Sequence, residues 1–254
     1  MVLLRPKSPG NVGSVARAMK NMGFSRLVLA DPMTYDDPGY FDEEARRMAW
    51  AAADLLDSRR ETPDLAAALA RCTWVAGTTS NPPEGARVLA PRDLAAELAA
   101  RLSAHPGTTA ALLFGQEDIG LTRDALTSCH IVGAIPSAPA YPSLNLSQAA
   151  LLFLYETRLA FLSIGAAVGD RAVADRAGGD ETGAGQPPTH EQLAAFSARL
   201  EETLDAIGFF QGTSRAHMMR DLKLLFHRCL LTSRELSILE GIVHQTMWAA
   251  RRQG

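Results

Sequence analysis

The stretch HIVGAIPSAPAYPSLNLSQAALLFLYETRLAFL, His130–Leu162, runs through three kinds of sequence in succession. His130–Pro136 is short and apolar, the pattern of a strand buried on both faces. The segment that follows is small and polar, and Pro136, Pro139 and Pro142 punctuate it. Each proline ring locks φ, so the path of this turn is fixed. Ser143, Asn145 and Ser147 offer oxygens that cap helices or imitate backbone groups. One such residue is enough to start a helix, so the surplus in so stiff a turn points to a second use. The remainder, from about Leu146 to Ile164, is a helix apolar on nearly every face. Leu151, Leu152, Phe153, Leu154, Leu159, Phe161 and Leu162 cannot all meet one sheet. A helix apolar all round needs cover on all sides. That cover is either the core of the protomer or a second copy of the chain.

Upstream, the alternation of strand and helix repeats. Val2–Arg5, Arg26–Ala30, Trp74–Thr79 and Thr109–Gly115 read as short strands. Asn11–Gly23 reads as a helix with Asn11 as its cap and Gly23 just past its end. A helical stretch covers about Asp42–Leu56, and Thr62 with Pro63 reads as the cap and first residue of the next helix. Residues 91–102 and 122–129 complete the helices. Apolar strands alternating with helices predict an α/β fold: a parallel sheet with helices on both faces.

The 254 residues suffice for one large domain, or a medium and a small one. With 47% apolar and only 6% aromatic residues, Ala, Leu and Val carry the packing. A formal net charge of −3 excludes a uniformly basic nucleic-acid binder but leaves room for a local basic patch. Cys72, Cys129 and Cys229 are widely spaced, which suits free thiols in a reducing cytoplasm rather than a disulfide framework or a zinc site. No metal is expected. Glu156 and Arg158 interrupt the longest apolar run, so no membrane span is expected either. Residues 165–188, rich in Gly, Ala and Asp, read as a flexible linker. Beyond it, Thr189 with Gln192 and Thr232 with Glu235 have capping-box spacing. Helices of about 190–207, 214–229 and 232–250 then predict a small all-helical domain. The expected units are 1–164, 165–188 and 189–254.

Three polar loops each follow an apolar strand, the place where open α/β sheets bind ligands. The first is RPKSPGNVGSVARAMKNMGF, Arg5–Phe24, whose helix puts Arg17 and Lys20 within about one turn of each other. The second is LLFGQEDIGLT, Leu112–Thr122, where Gly115 turns the chain and Glu117 and Asp118 follow. The third is IPSAPAYPSLNLSQAA, Ile135–Ala150. In order and spacing these loops resemble the three signature motifs of the SPOUT superfamily of RNA methyltransferases, in the branch of the TrmH/TrmJ type. The segment Gly208–Val243 resembles the helical extension of that branch.

The resemblance implies a deep trefoil knot in the C-terminal part of the sheet domain. It implies S-adenosyl-L-methionine as cofactor, held largely by backbone groups of Thr78, Thr79, Ser80, Gly115, Ile135, Pro142, Ser143, Leu144 and Asn145. The implied reaction is methyl transfer to a ribose 2′-hydroxyl of tRNA, on cytidine or uridine in the anticodon loop at about position 32. The implied catalytic set is Arg17 with Asn11, Glu117, Ser143 and Asn145, and the implied RNA-binding cations are Arg5, Lys7, Arg17 and Lys20. A guanidinium does not release its proton near neutral pH. Arg17 therefore suits anchoring a phosphate and stabilising a developing alkoxide better than acting as a base. The resemblance also implies a homodimer formed through the apolar helix. Other readings stay open: an rRNA substrate, another tRNA position, or a non-catalytic RNA-binding module on the same scaffold. A dinucleotide-binding fold would use Gly10, Gly13 and Asp31, but P-G-N-V-G-S is not G-x-G-x-x-G.

Overall fold

A computed structural model describes residues 1–33, 38–164, 185–210 and 214–253. The linker expected over 165–188 lies outside the described residues as far as 184. Among those described, seven parallel strands form one sheet in the order β3-β2-β1-β6-β4-β7-β5. They are β1 (Val2–Leu4), β2 (Val28–Ala30), β3 (Arg60–Thr62), β4 (Trp74–Thr78), β5 (Val88–Leu89), β6 (Ala110–Phe114) and β7 (Ile131–Gly133). The last strand, β7, hydrogen-bonds between two earlier ones, β4 and β5.

Side chains alternate across the sheet, and both faces are apolar. Leu3, Trp74, Ala76, Leu112, Phe114 and Ile131 join one core cluster. It is shared with α1 (Pro9–Met22), α2 (Pro38–Ala49), α3 (Ala53–Asp57), α5 (Pro91–Ala104) and α7 (Leu146–Ser163). Val2, Val75, Ala111, Leu113 and Val132 join a second cluster with α4 (Leu65–Leu69) and α6 (Arg123–Leu126). The predicted two-sided burial of the central strands is what the structure has.

Three local expectations need correction, and two strands were missed. The cap of α1 is Ser8, whose hydroxyl accepts the Asn11 N–H, and Pro9 is the first helical residue. Proline suits that place because its φ is already helical and no N–H is wasted. Asn11 thus lies inside the first turn. Thr62 belongs to β3, where it pairs with Ala30, and the cap of α4 is Asp64, which accepts the Ala67 N–H at 2.7 Å. The helix expected over 42–56 is broken: α2 ends at Ala49, a 3-10 turn spans Trp50–Ala52, and α3 follows. Strands β3 and β5 escaped the sequence reading because they are the sheet's edges. Arg60 and Glu61 are exposed, as edge residues can be, so no apolar run marks them.

The C-terminal helices α8 (His190–Ala206), α9 (Arg215–Cys229) and α10 (Ser233–Gln253) share a small core of Leu193, Phe196, Leu236 and Val243. Both expected capping boxes form. Thr189 and Gln192 exchange bonds of 3.3 and 2.7 Å, and Thr232 and Glu235 exchange bonds of 3.2 and 2.8 Å. The His190 N–H donates to the Cys72 carbonyl at 2.7 Å, and Arg220 pairs with Asp124 at 3.2 Å.

Three histidines meet at this seam. His130 precedes β7, His190 opens α8, and His227 lies near the end of α9. Their rings are 5.0 Å (His130–His227) and 6.1 Å (His190–His227) apart, centroid to centroid, and all three are buried. His130 Nδ1 accepts the Val75 N–H at 3.1 Å. His227 Nδ1 donates to the Lys223 carbonyl at 2.8 Å, so its buried Nε2 is an acceptor without a partner among the described residues. Burial above all holds the three below the ordinary histidine range, His190 at about 4, and for His130 and His190 the neighbouring histidines add to it. Among the described residues no helix is long and apolar enough to cross a membrane, and no group of three or more His, Cys, Asp or Glu could hold a metal.

Candidate active site

Strands β1, β6, β4 and β7 are neighbours and parallel, so the loops that leave them lie along one edge of the sheet. These loops are the three polar motifs and Thr79–Ser80. Gly115 can turn off β6 only as glycine: a Cβ there would fall 2.2 Å from the carbonyl carbon of Gly120. The tight turn presents Glu117 to the start of α1.

Glu117 is the hub. Its carboxylate accepts the Lys7 N–H at 2.8 Å, the Ser8 N–H at 3.0 Å and the Asn11 amide at 3.0 Å. A carboxylate before a helix N-terminus is also favoured by the helix dipole. Asn11 in turn accepts from the amide of Asn145 at 3.0 Å. Asn145 caps α7, its Oδ1 accepting the Ser147 N–H at 2.9 Å and the Ser147 hydroxyl at 2.7 Å. One directed chain, Asn145 to Asn11 to Glu117, therefore joins the three motifs. It links the loops that follow β7, β1 and β6.

The other expected cofactor residues line the same edge. Thr78 is buried and its hydroxyl donates to the Leu113 carbonyl at 3.1 Å, fastening β4 to β6. The Thr79 N–H donates to the Gly133 carbonyl at 3.1 Å, fastening β4 to β7. In the proline-rich loop the Ser137 hydroxyl donates to the Pro142 carbonyl at 2.7 Å. Ile135 and Leu144 are half-buried, while Ser80, Pro142 and Ser143 are exposed. Ser80 and Ser143 have no hydrogen-bond partner among the described residues, so the network does not draw them in.

The four expected RNA-binding cations divide. Arg5 pairs with Asp31, Lys7 with Asp118, and Lys20 with Asp54 at 2.7 Å. The hydrogen bonds from Lys7 and Lys20 hold the carboxyls of Asp118 and Asp54 below their usual range. Arg17 is exposed and has no ion pair or hydrogen bond among the described residues. Exposed pairs of this kind are weak and can exchange a carboxylate for a phosphate. The sequence reading missed Ser8 and the backbone N–H groups of Lys7 and Ser8. The signal was there in Ser8-Pro9, a cap followed by proline at the first helical position.

Residues 1–155 match the model of the SpoU rRNA methylase family, and residues 191–254 match the C-terminal domain of the tRNA methyltransferase TrmJ. The chain belongs to the SpoU methylase family, in its TrmJ branch. It is similar to the tRNA (cytidine/uridine/adenosine-2′-O-)-methyltransferase TrmJ of Pseudomonas aeruginosa, 36% identical over 99% of this chain and 94% of that one. It is equally similar to the tRNA (cytidine/uridine-2′-O-)-methyltransferase TrmJ of Pectobacterium atrosepticum, 36% identical over 96% and 94%. The crystal structure of TrmJ from Z. mobilis ZM4 superposes on this SpoU methylase with a TM-score of 0.75, covering 96% of both chains at 28% identity.

Proposed function

We propose that this SpoU methylase transfers a methyl group from S-adenosyl-L-methionine to a ribose 2′-hydroxyl of tRNA, on cytidine or uridine in the anticodon loop at about position 32. The observation that carries the reading is the chain Asn145–Asn11–Glu117, which holds three motif loops together at the carboxyl edge of the sheet. The relatives named as tRNA 2′-O-methyltransferases support the substrate class.

The edge fits the cofactor. Peptide groups act as ligands only where the backbone cannot relax away. Here the Thr78 and Thr79 bonds fix the end of β4, and the Ser137 bond fixes the proline-rich loop. Ile135 and Leu144 supply apolar contact for a flat base, and Ser80, Ser143 and the backbone of Pro142 are open to it. Bound there, S-adenosyl-L-methionine supplies an electrophilic methyl group. The protein must then place the ribose hydroxyl in line and favour loss of its proton. Arg17, exposed and without a partner among the described residues, anchors the neighbouring phosphate and stabilises the negative charge on the attacking oxygen. Asn11, Asn145 and Glu117 fix α1, on which Arg17 rides, against the cofactor loop. Ser143 offers its free hydroxyl to the substrate. Arg5, Lys7 and Lys20 track the RNA backbone by exchanging their carboxylate partners.

The protomer leaves one face of α7 open. Leu151, Tyr155, Leu159 and Leu162 fall at helical spacing and are 39–53% exposed. A second copy laid on this face makes a homodimer. Arg17 lies six residues beyond Asn11, about 9 Å along the axis and about 120° around it, so the dimer is also where a second surface would complete the site. The placement of β7 between β4 and β5, followed by packing of α7 on α1 and α5, supports a trefoil knot in this region. Residues 1–164 form the catalytic unit, 165–188 the linker and 189–254 the helical extension, and the enzyme works in the cytoplasm.

The test is incubation with methyl-labelled S-adenosyl-L-methionine and unfractionated tRNA, with mass mapping of the methylated nucleosides. A 2′-O-methylated pyrimidine in the anticodon loop is expected. Label in rRNA alone would move the substrate, and label in no RNA would sink the reading.

A further inference from the structure

Trp50 is placed as no structural role requires. It is 75% exposed, the highest exposure of any described tryptophan. Its φ is +52°, a left-handed conformation that a bulky side chain rarely adopts. It stands at the break between α2 and α3, where the neighbours Ala49, Ala51, Ala52 and Ala53 are all small. Its ring has no aromatic or cationic partner among the described residues. Trp248, also exposed, differs, because the Arg252 guanidinium sits 4.5 Å from its ring centroid. Strain kept at an exposed position points to use rather than to packing.

What lies beside Trp50 indicates the use. Helix α1 packs along α2 and onto the Trp50–Ala52 turn. The contact is close because Gly13 has no side chain: a Cβ there would fall 2.0 Å from the Ala45 carbonyl oxygen. Further along the same stripe Lys20 donates to the Ala51 carbonyl at 2.8 Å and pairs with Asp54. Arg17 comes four residues after Gly13 and three before Lys20, so it lies on that stripe between them. The stripe therefore brings the unpaired cation alongside the turn that carries the open indole.

We propose that Trp50 is a stacking platform for an unpaired nucleobase of the RNA substrate, with the phosphate of the same nucleotide or its neighbour on Arg17. An aromatic face beside a free guanidinium is the chemistry that recognises single-stranded RNA, where bases splay out and their phosphates stay within reach. An anticodon loop presents such bases. The inference rests on the RNA substrate proposed above and adds to it the site that holds the loop open.

The experiment compares Trp50→Ala, Trp50→Phe and Trp50→Gly with the parent enzyme, using unfractionated tRNA. Loss of one stacked base should raise KM for tRNA about tenfold or more, with kcat changed less than about twofold. Trp50→Phe should recover most of the affinity. Trp50→Gly should melt about 2–4 °C higher, since glycine adopts the left-handed conformation freely, yet bind tRNA as weakly as Trp50→Ala. A purely structural role predicts the opposite pairing. In a Trp248→Phe background, tRNA should quench the fluorescence of Trp50, and Trp50→Ala should abolish that quenching. Unchanged KM in all three variants, or no quenching, would overturn the proposal. So would a shift of Trp50→Ala from dimer to monomer, which would make Trp50 an interface residue. Quenching is read without turnover, so an enzyme that methylates no RNA would defeat the proposed reaction while the stacking site is still judged on its own signal.

Discussion

This SpoU methylase holds two polar clusters that are built in opposite ways. At the carboxyl edge of the sheet, Glu117, Asn11 and Asn145 are partly or fully exposed, and every bond among them has a clear donor and acceptor. At the seam with the C-terminal helices, His130, His190 and His227 are buried, and the buried Nε2 of His227 has no partner among the described residues. The first cluster is satisfied while still open to solvent, which suits a place where ligands come and go. The second is tolerable only while its members stay neutral, which suits a joint that should not be wet. Position, rather than polarity, separates chemistry from architecture here.

Several measurements would break or sharpen that contrast. The largest effect belongs to Arg17→Ala. Turnover should fall about 100- to 1,000-fold, the range for removing one group that stabilises developing charge. The melting temperature should stay put, because the side chain has no partner to lose among the described residues. Retained turnover would remove Arg17 from the mechanism.

The seam should respond to acid. Unfolded, a histidine takes up its proton near 6.5, whereas folded His190 waits until about 4. Between those values the unfolded chain binds more protons, so stability falls as pH drops through that window. For His190 alone the loss by pH 4 is on the order of 3 kcal/mol, with His130 and His227 acting in the same direction. Urea midpoints at pH 7 and 4.5 for the parent and for His190→Gln check this, and the variant should show the smaller drop. Equal drops would mean that the seam histidines are not the titrating groups.

Glu117→Ala tests whether the open cluster also carries structure. It strands two backbone N–H groups and the Asn11 amide, so a loss of about 2 kcal/mol is expected in chemical denaturation. Activity should fall with it, since α1 loses its tie to the β6 loop. The smallest effect is reserved for Lys20→Gln. Its pair with Asp54 is exposed, so stability should change by less than about 1 kcal/mol, while the salt dependence of tRNA binding should become shallower.

Much of this was legible in the sequence, and what escaped it has physical reasons. The central strands β1, β4, β6 and β7 announce themselves because burial on both faces demands unbroken apolar runs. The edge strands β3 and β5 do not, because an edge tolerates Arg60 and Glu61. The three motif loops were visible as polar segments after strands, and family resemblance supplied their roles. That Glu117 would bind the first backbone amides of α1 was not visible, since the two lie more than a hundred residues apart and meet only through strand order. The histidine seam was invisible for the same reason: three single residues from separate elements make no motif. Trp50 was hidden by its alanine-rich surroundings, which read as uninterrupted helix until the backbone shows the left-handed step.

The amides of Asn11 and Asn145 have a direction. Asn145 must accept at one end, to cap α7, and donate at the other, to Asn11. Asn11 must accept from Asn145 and donate to Glu117. Aspartate could still cap α7 but would turn an acceptor toward an acceptor. Serine could cap as well, but it is too short to reach across. Glutamine could donate but would start the helix badly. The two positions thus form a one-way sentence that only asparagine spells, and its full stop is the carboxylate of Glu117.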